Sequence, residues 1–267
     1  MTSQRKIVVA HQNNLSEYLG SWRTLMNQIR RVQPPLGIPQ VVGSFGENTY
    51  DFSLMLSYLD NKLAVLEETP LSPRQFNYMA YAEARVFLKA CYMFFRILLD
   101  DISGILEFFY KKKEPKVKIG SSFDDLLKHA KNGSLPSDLC KLLERPSSWF
   151  PEMRDRRDDL VHRYDSFLIS FKQRENGKNI LGHFSTKRGA SKDYKDIREY
   201  FGYLLCEYQM LIDALLDFFD IKFRGWYELS PPRNLTIMMG CTALPLWWAH
   251  KYGNYEHKEL QVAENCS

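Results

Sequence analysis

A long helical pattern sets the fold class of this chain. Apolar residues recur at helical spacing over residues 71–110 without a helix breaker. At the start of this stretch, Ser72 can cap the helix, Pro73 suits its first position and Gln75 can complete a capping box. Three lysines, residues 111–113, suit the carbonyl end of the helix dipole. The pattern therefore predicts one helix that is about 57 Å long at ~1.5 Å per residue.

Much of the remaining chain shows the same periodicity. Residues 86–99 are apolar on nearly every side, which is typical of a helix surrounded by other helices. A loop rich in proline and glycine, residues 34–46, separates two of the further helical patterns. Caps, breakers and apolar spacing predict these further helices at Leu15 to Arg30, Phe52 to Glu67, Ser122 to Asn132, Pro136 to Arg145, Ser148 to about Lys172 and Ile197 to Phe218. We therefore expect an all-α fold, a helical bundle.

Composition narrows the class of function. The chain has 267 residues, and 45% of them are hydrophobic, which is enough for a buried core and excludes disorder as the main state. The 36 basic and 32 acidic side chains leave a net charge of +4. This small excess excludes a protein that binds nucleic acid by bulk charge, so a polyanion would have to bind at a local site.

Cysteine usage and hydropathy favour a cytoplasmic protein. The five cysteines are an odd number, and the closest two are 25 residues apart in sequence. This spacing fits neither a disulfide scaffold nor a zinc site. The apolar stretch near the amino terminus is too short for a secretory signal, and no uncharged apolar window reaches the ~18 residues that span a bilayer. We therefore expect no membrane association, no metal and no cofactor.

Arg157 interrupts an apolar stripe on the helix predicted after Ser148. A guanidinium in such a stripe needs an acceptor, because a buried unpaired cation costs several kcal/mol. Two interpretations follow: Arg157 pairs with a carboxylate such as Asp100 or Glu83, or it lines a cleft for an anion such as phosphate. The stripe consists of Phe150, Met153, position 157, Leu160, Tyr164, Phe167 and Phe171.

His162 lies five residues after Arg157. On a straight helix this spacing places the two residues ~140° apart around the axis and ~7.5 Å apart along it, so they do not share a face. Asp158 and Asp159 stand about one turn before His162 and could fix its tautomer and raise its pKa. The alternative is that His162 is an exposed polar residue. A working Arg/His pair would have to be assembled across two helices or two subunits.

The residues from Arg157 to Tyr164 resemble a known motif. Arg157-x4-His162, with Asp158 after the arginine, Val161 before the histidine and Tyr164 two residues beyond it, resembles the R-x4-6-H motif of the HEPN (higher eukaryotes and prokaryotes nucleotide-binding) domains. The family is all-helical, and many members are metal-independent endoribonucleases, often toxins or phage-defence effectors. Members commonly dimerise so that two motifs face each other. An asparagine is common after the motif arginine, where this chain has Asp158.

The resemblance implies a division of the chain into three regions. Residues 71–221 would form a HEPN-like helical domain with a core of long antiparallel helices. Residues 1–70 would be an N-terminal helical extension packed on this core, and residues 222–267 would be a C-terminal extension without assigned structure. A homodimer would form through the motif helix.

The resemblance also implies a reaction. An RNA 2′-hydroxyl would attack the neighbouring phosphate and leave a 2′,3′-cyclic phosphate and a free 5′-hydroxyl. Arg157 would stabilise the charge that builds on the phosphorane, and His162 would move the proton as base or acid. Asp158 would orient His162, while Tyr164 would contact the substrate or simply pack.

The expected partners follow from the same resemblance. Arg154 and Arg163 are further candidates for contacts to substrate, and the expected ligand is RNA or a nucleotide. An antitoxin partner is an additional expectation that one chain cannot identify. The alternative function is a non-catalytic HEPN-like module that binds nucleotide or RNA, or only dimerises. Residues 173–192 form either a solvated connector or hairpin, or a basic loop that contacts substrate.

Overall fold

The computed structural model of the protein describes residues 38–69, 76–162, 169–173, 179–183 and 195–223. Within these ranges, six helices surround one apolar core, which confirms the prediction of an all-α helical bundle. The helices are α1 (Ile38–Glu67), α2 (Tyr78–Lys113), α3 (Phe123–Lys131), α4 (Ser137–Glu144), α5 (Pro146–His162) and α6 (Ile197–Phe223). A small antiparallel sheet in the order β1-β2-β3 consists of β1 (Ile169–Gln173), β2 (Asn179–His183) and β3 (Lys195–Asp196).

Helices α1 and α2 form an antiparallel pair. Near the start of α1, the Asn48 amide donates a hydrogen bond to Asp101 Oδ2 on α2 at 2.7 Å. Near its end, Lys62 forms an ion pair with Glu83. Positions further along α1 therefore meet earlier positions on α2. The same register sets the level along α2 at which Ile38, the first residue of α1, lies.

Helix α2 packs against several other helices, but the prediction that helices surround residues 86–99 holds only in part, because Val86, Met93 and Ile97 are exposed. Besides α1, it packs against α3 and α5. It also meets α6, where the rings of Tyr92 and Phe201 have centroids 4.9 Å apart. Its fully buried side chains between positions 88 and 99 are Leu88, Cys91, Tyr92, Phe95, Leu98 and Leu99. Cys91 is a core residue, and so is Cys206 on α6.

The predicted start of α2 is wrong by several residues. The helix begins at Tyr78, and the Asn77 side chain accepts a hydrogen bond from the Ala80 backbone N–H at 2.9 Å. Residues 76 and 77 are not helical, so a cap at Ser72 cannot lead directly into this helix. Asparagine is as good an N-cap as serine and stands closer to the buried part of the helix. Residues 70–75, including Pro73 and Gln75, lie outside the described ranges.

The two short helices end where their sequence signals predicted. The Ser122 hydroxyl caps α3 by accepting a hydrogen bond from the Asp125 backbone N–H at 3.2 Å. After α3, Gly133 takes a positive φ of 67°, a conformation that glycine adopts without steric cost. Helix α4 follows Pro136 and ends one residue before Arg145. Local capping chemistry was therefore sufficient to locate both helices.

Two other boundaries differ from the prediction. Helix α1 begins at Ile38, so residues 38–46, predicted as part of a loop, are helical. Pro39 lies in the first turn, where its missing N–H removes no helical hydrogen bond, and burial of Phe45 offsets the ~1 kcal/mol cost of each nearby glycine. Helix α5 ends at His162 and β1 begins at Ile169, so the predicted helix does not continue to Lys172. The β1-β2 hairpin overlaps the segment for which a hairpin was one alternative.

Candidate functional site

Helix α5 carries the motif, and its buried face differs from the predicted stripe. The residues of α5 that enter the core include Trp149, Phe150, Met153, Arg156 and Leu160. The stripe predicted through Arg157 shares Phe150, Met153 and Leu160 with this face. Arg157 stands beside the face, with 22% of its side chain exposed, whereas the Arg156 side chain is 1% exposed. The cation that replaces a core hydrophobe is therefore Arg156, and the prediction for Arg157 is corrected.

Arg156 is held by structural partners. Its Nε donates to Glu152 Oε1 one turn earlier at 2.9 Å. Its guanidinium carbon lies 5.0 Å from the centroid of the Tyr200 ring on α6. Burial raises the pKa of the Tyr200 hydroxyl, so this tyrosine remains neutral and gives the cation an aromatic face. Arg156 therefore joins α5 to α6.

Arg154 is also engaged in ion pairs. Its Nη1 donates to Asp124 Oδ1 in the first turn of α3 at 2.7 Å, and its Nη2 donates to Asp155 Oδ1 at 3.3 Å. Burial raises the pKa of the Asp124 carboxyl, but hydrogen bonds from Lys128 and Arg154 outweigh this effect and lower it overall. Arg154 was a predicted contact for substrate, and this prediction remains untested. Its position shows that it ties α5 to α3.

Arg157 has a different environment from its two neighbours. Its Nε is enclosed by protein atoms, and no acceptor among the described residues forms a hydrogen bond with this atom. The carboxylate of Asp158 lies 3.1 Å from Nε, close enough for an ion pair but not aligned for a hydrogen bond. The Asp158 side chain is 43% exposed. Of the three described arginines at 154, 156 and 157, Arg157 is thus the one with an enclosed guanidinium nitrogen that has no hydrogen-bond acceptor among the described residues.

The carboxylates proposed as structural partners of Arg157 bind elsewhere. Asp100 Oδ2 accepts a hydrogen bond from Arg96 Nε at 3.0 Å, and its Oδ1 accepts one from the Phe123 backbone N–H at 2.8 Å. Glu83 pairs with Lys62. Asp100 and Glu83 are therefore not the structural partners of Arg157.

The histidine of the motif is the last residue of α5. Because the helix is continuous from Arg157 to His162, the spacing of ~140° and ~7.5 Å between their backbone positions holds here. The fold of α5 therefore does not bring these two residues together by itself. The structure does not describe the side chain of His162, and Arg163 and Tyr164 lie outside the described ranges. Their predicted roles remain predictions.

A second arginine near the motif helix also has an unused donor. Arg96 on α2 places its guanidinium carbon 4.9 Å from the Phe150 ring centroid, and its Nη1 is a buried atom without a hydrogen-bond acceptor among the described residues. Phe150 precedes Arg157 by seven residues, which is two turns on the same side of α5. Arg96 was not among the site residues predicted from sequence. Its signal was a cation inside the otherwise apolar stretch 86–99.

No protein-family model, curated protein or solved structure matches the chain significantly. Within the described ranges, no group of histidine, cysteine and acidic side chains has the arrangement of a metal site. No helix in that part of the chain combines the length and the apolar composition required to cross a bilayer.

Proposed function

We propose that the protein is a metal-independent endoribonuclease that uses Arg157 and His162 in a site composed of two copies of the chain. The proposal rests on the resemblance of Arg157-x4-His162-x-Tyr164 to the HEPN motif. The single structural observation that supports it is the environment of Arg157. An arginine whose Nε lacks an acceptor among the described residues, and whose ionic partner Asp158 is 43% exposed, can exchange that carboxylate for a phosphate.

The contacts of the two neighbouring arginines support the choice of Arg157 as the phosphate-binding residue. Arg154 and Arg156 are bound to carboxylates or aromatic rings that join helices, so freeing either one would cost structural contacts. Arg157 pairs only with Asp158, its neighbour in sequence, among the described residues. Displacement of this carboxylate by RNA would leave the helix contacts intact. Asp158 would then be free to accept a hydrogen bond from His162.

In the proposed reaction, the 2′-oxygen of a ribose attacks the adjacent phosphorus while the bond from phosphorus to the 5′-oxygen breaks. One His162 removes the 2′-hydroxyl proton, and a second acid, for which we propose His162 of the other copy, donates a proton to the leaving 5′-oxygen. Arg157 binds the non-bridging oxygens, on which negative charge increases in the transition state. The products are a 2′,3′-cyclic phosphate and a 5′-hydroxyl.

The separation of Arg157 and His162 on one helix is the reason for proposing a dimer. Two α5 helices related by a twofold axis would place the arginine of one copy near the histidine of the other. Such an arrangement overcomes the ~140° separation without any distortion of the helix. A homodimer through the motif helix is therefore part of the proposed function.

The test is cleavage of a mixed RNA substrate by purified protein in EDTA, followed by analysis of the new ends. Arg157→Ala and His162→Ala are each expected to reduce cleavage by about 100-fold or more, since proton transfer and charge stabilisation typically contribute this much. Thermal unfolding should change little. Lys141→Ala, which removes an exposed cation from α4, is the matched control and should cleave RNA normally.

Two results would contradict the proposal. Wild-type protein that yields no cyclic phosphate, but binds RNA with an affinity that falls with salt, would support the non-catalytic binding module instead. Undiminished cleavage by both Arg157→Ala and His162→Ala would place the activity elsewhere.

A further inference from the structure

Helix α2 exposes an apolar stripe on the side that faces away from its packed neighbours. Its members recur at spacings of 3 or 4 residues, which keeps them on one face. Four of them are large side chains with substantial exposure: Met79 at 71%, Val86 at 63%, Met93 at 50% and Ile97 at 37%. Two alanines, Ala82 and Ala90, complete the α2 stripe.

The α2 stripe is long enough to hold a helix. From Met79 to Ile97 it extends ~27 Å at ~1.5 Å per residue. Its edge continues onto α1, where exposed Tyr58 stacks on Phe87 with ring centroids 5.3 Å apart. Single exposed apolar residues are ordinary on a protein surface, but a continuous apolar stripe indicates a surface that another element covers. The alanines would let a second helix approach closely.

The chain itself contains a helical pattern that matches this stripe. Residues 15–30 carry apolar side chains at helical spacing and polar side chains between them. A helix of this length spans ~24 Å, close to the length of the α2 stripe. We propose that residues 15–30 pack as a helix on the α2 stripe and complete the bundle. The apolar positions are Leu15, Tyr18, Leu19, Trp22, Leu25, Met26 and Ile29.

The register of α1 against α2 shows that residues 31–37 are long enough to connect a helix on the α2 stripe to the start of α1. Asn48 meets Asp101, so Ile38, ten residues earlier on α1, lies near the level of residue 111 at the end of α2. The near end of the stripe, Ile97, is ~21 Å from that level along the helix axis. Residues 31–37 can span up to ~25 Å when extended. Pro34 and Pro35 favour an extended connection.

The same lengths fix the direction of the segment. Residue 30 must lie near Ile97 and residue 15 near Ala82, so that the segment runs parallel to α2. The reverse orientation would require residues 31–37 to span more than ~40 Å, which exceeds their reach. The inference concerns the N-terminal region alone and does not depend on the proposed cleavage of RNA.

Hydrogen exchange of the full-length chain, followed by mass spectrometry, tests this inference. An isolated helix of about 16 residues is marginal in water, so residues 15–30 should be protected only when docked. In the wild type we expect amides of this segment to exchange at least tenfold more slowly than in an unstructured peptide. The double variant Val86→Glu/Met93→Glu should remove this protection. Ile221→Glu, at an 81% exposed position on α6, is the matched control and should retain it.

Three outcomes would overturn the inference. Fast exchange of residues 15–30 in the wild type would show that the segment is not docked. Protection that survives the double variant would place it on another surface. A wild-type dimer that becomes monomeric in the double variant, with no change at residues 15–30, would assign the stripe to a second copy. If the double variant also loses protection in α6, the milder Val86→Ser/Met93→Gln serves in its place.

Discussion

Arg156 and Arg157 are adjacent in sequence but differ in what they contribute. Arg156 is enclosed between α5 and α6 and joins Glu152 to the Tyr200 ring, whereas Arg157 is partly exposed and pairs with Asp158. Removal of a buried, paired cation loses packing as well as charge interactions. We expect Arg156→Ala to lower the free energy of unfolding by about 3 kcal/mol. Arg157→Ala should lower it by less than about 1 kcal/mol.

Urea denaturation of the two variants at neutral pH measures this difference. Arg156→Met is an informative control, since it keeps much of the side-chain length and removes the charge; a smaller loss than in Arg156→Ala would assign part of the effect to packing. Equal losses in Arg156→Ala and Arg157→Ala would refute the distinction between the two arginines.

The sequence predicted a cation within the apolar face of α5 but placed it one residue too late. Met153 and Leu160 fit both candidate stripes, one through Arg156 and the other through Arg157. Phe167 and Phe171 favoured the second stripe only if the helix continued beyond His162. The chain forms β1 from Ile169, so those aromatic residues carried no information about the buried face. The segment from Ile169 forms a strand because it pairs with β2, and local periodicity does not encode such pairing.

At the scale of elements, α3 is fixed by two caps from different parts of the chain. The Ser122 hydroxyl accepts a hydrogen bond from the Asp125 backbone N–H, while the Asp100 carboxylate on α2 accepts one from the Phe123 backbone N–H. Asp100→Ala should destabilise the protein by about 1–2 kcal/mol, because it removes a cap and leaves Arg96 without its carboxylate. Ser122→Ala should cost about 1 kcal/mol. Thermal denaturation followed by circular dichroism provides the comparison, and an unchanged melting temperature in Asp100→Ala would count against the cap.

Local signals explain which elements were predictable. The start of α3 depends on the Ser122 cap, and α2 ends two residues before Pro115; both signals act within one or two turns. The start of α1 depends on distant packing, because Phe45 is buried in the core despite nearby glycines. Ser122 was predicted as a cap from sequence, whereas Asp100 contacts Phe123 across 23 positions and had no local signature. Sequence therefore located both ends of α3 better than the start of α1, although the start of α2 was missed because Asn77 and not Ser72 caps that helix.

At the scale of the whole molecule, ion pairs between helices make stability depend on pH. Arg154 links α5 to Asp124 on α3, and Arg198 on α6 donates to Asp60 on α1 at 2.8 Å. The pKa of Asp124 is below its usual 3.8, since hydrogen bonds from Lys128 and Arg154 outweigh the opposing effect of burial. Its stabilising contribution is therefore complete above the unfolded pKa and is lost as the pH falls through the lower native pKa.

We expect the urea midpoint of the wild type to fall as the pH is lowered from about 5 to about 3. Asp124→Asn should be less stable at pH 5 and show a shallower decrease. The exposed Asp217→Asn on α6 controls for loss of a carboxylate and should follow the wild-type curve. Parallel curves for wild type and Asp124→Asn would show that this ion pair does not contribute to the acid response.

The burial of Cys91 makes it an internal reporter of the opening of the bundle. Burial raises the pKa of this thiol well above its usual value, which suppresses the reactive thiolate while α2 stays enclosed. Cys140 on α4 is only partly buried. An alkylating reagent should therefore modify Cys140 during brief treatment and reach Cys91 only in molecules whose helices have separated. The ratio of label at the two cysteines would time that separation without any engineered probe.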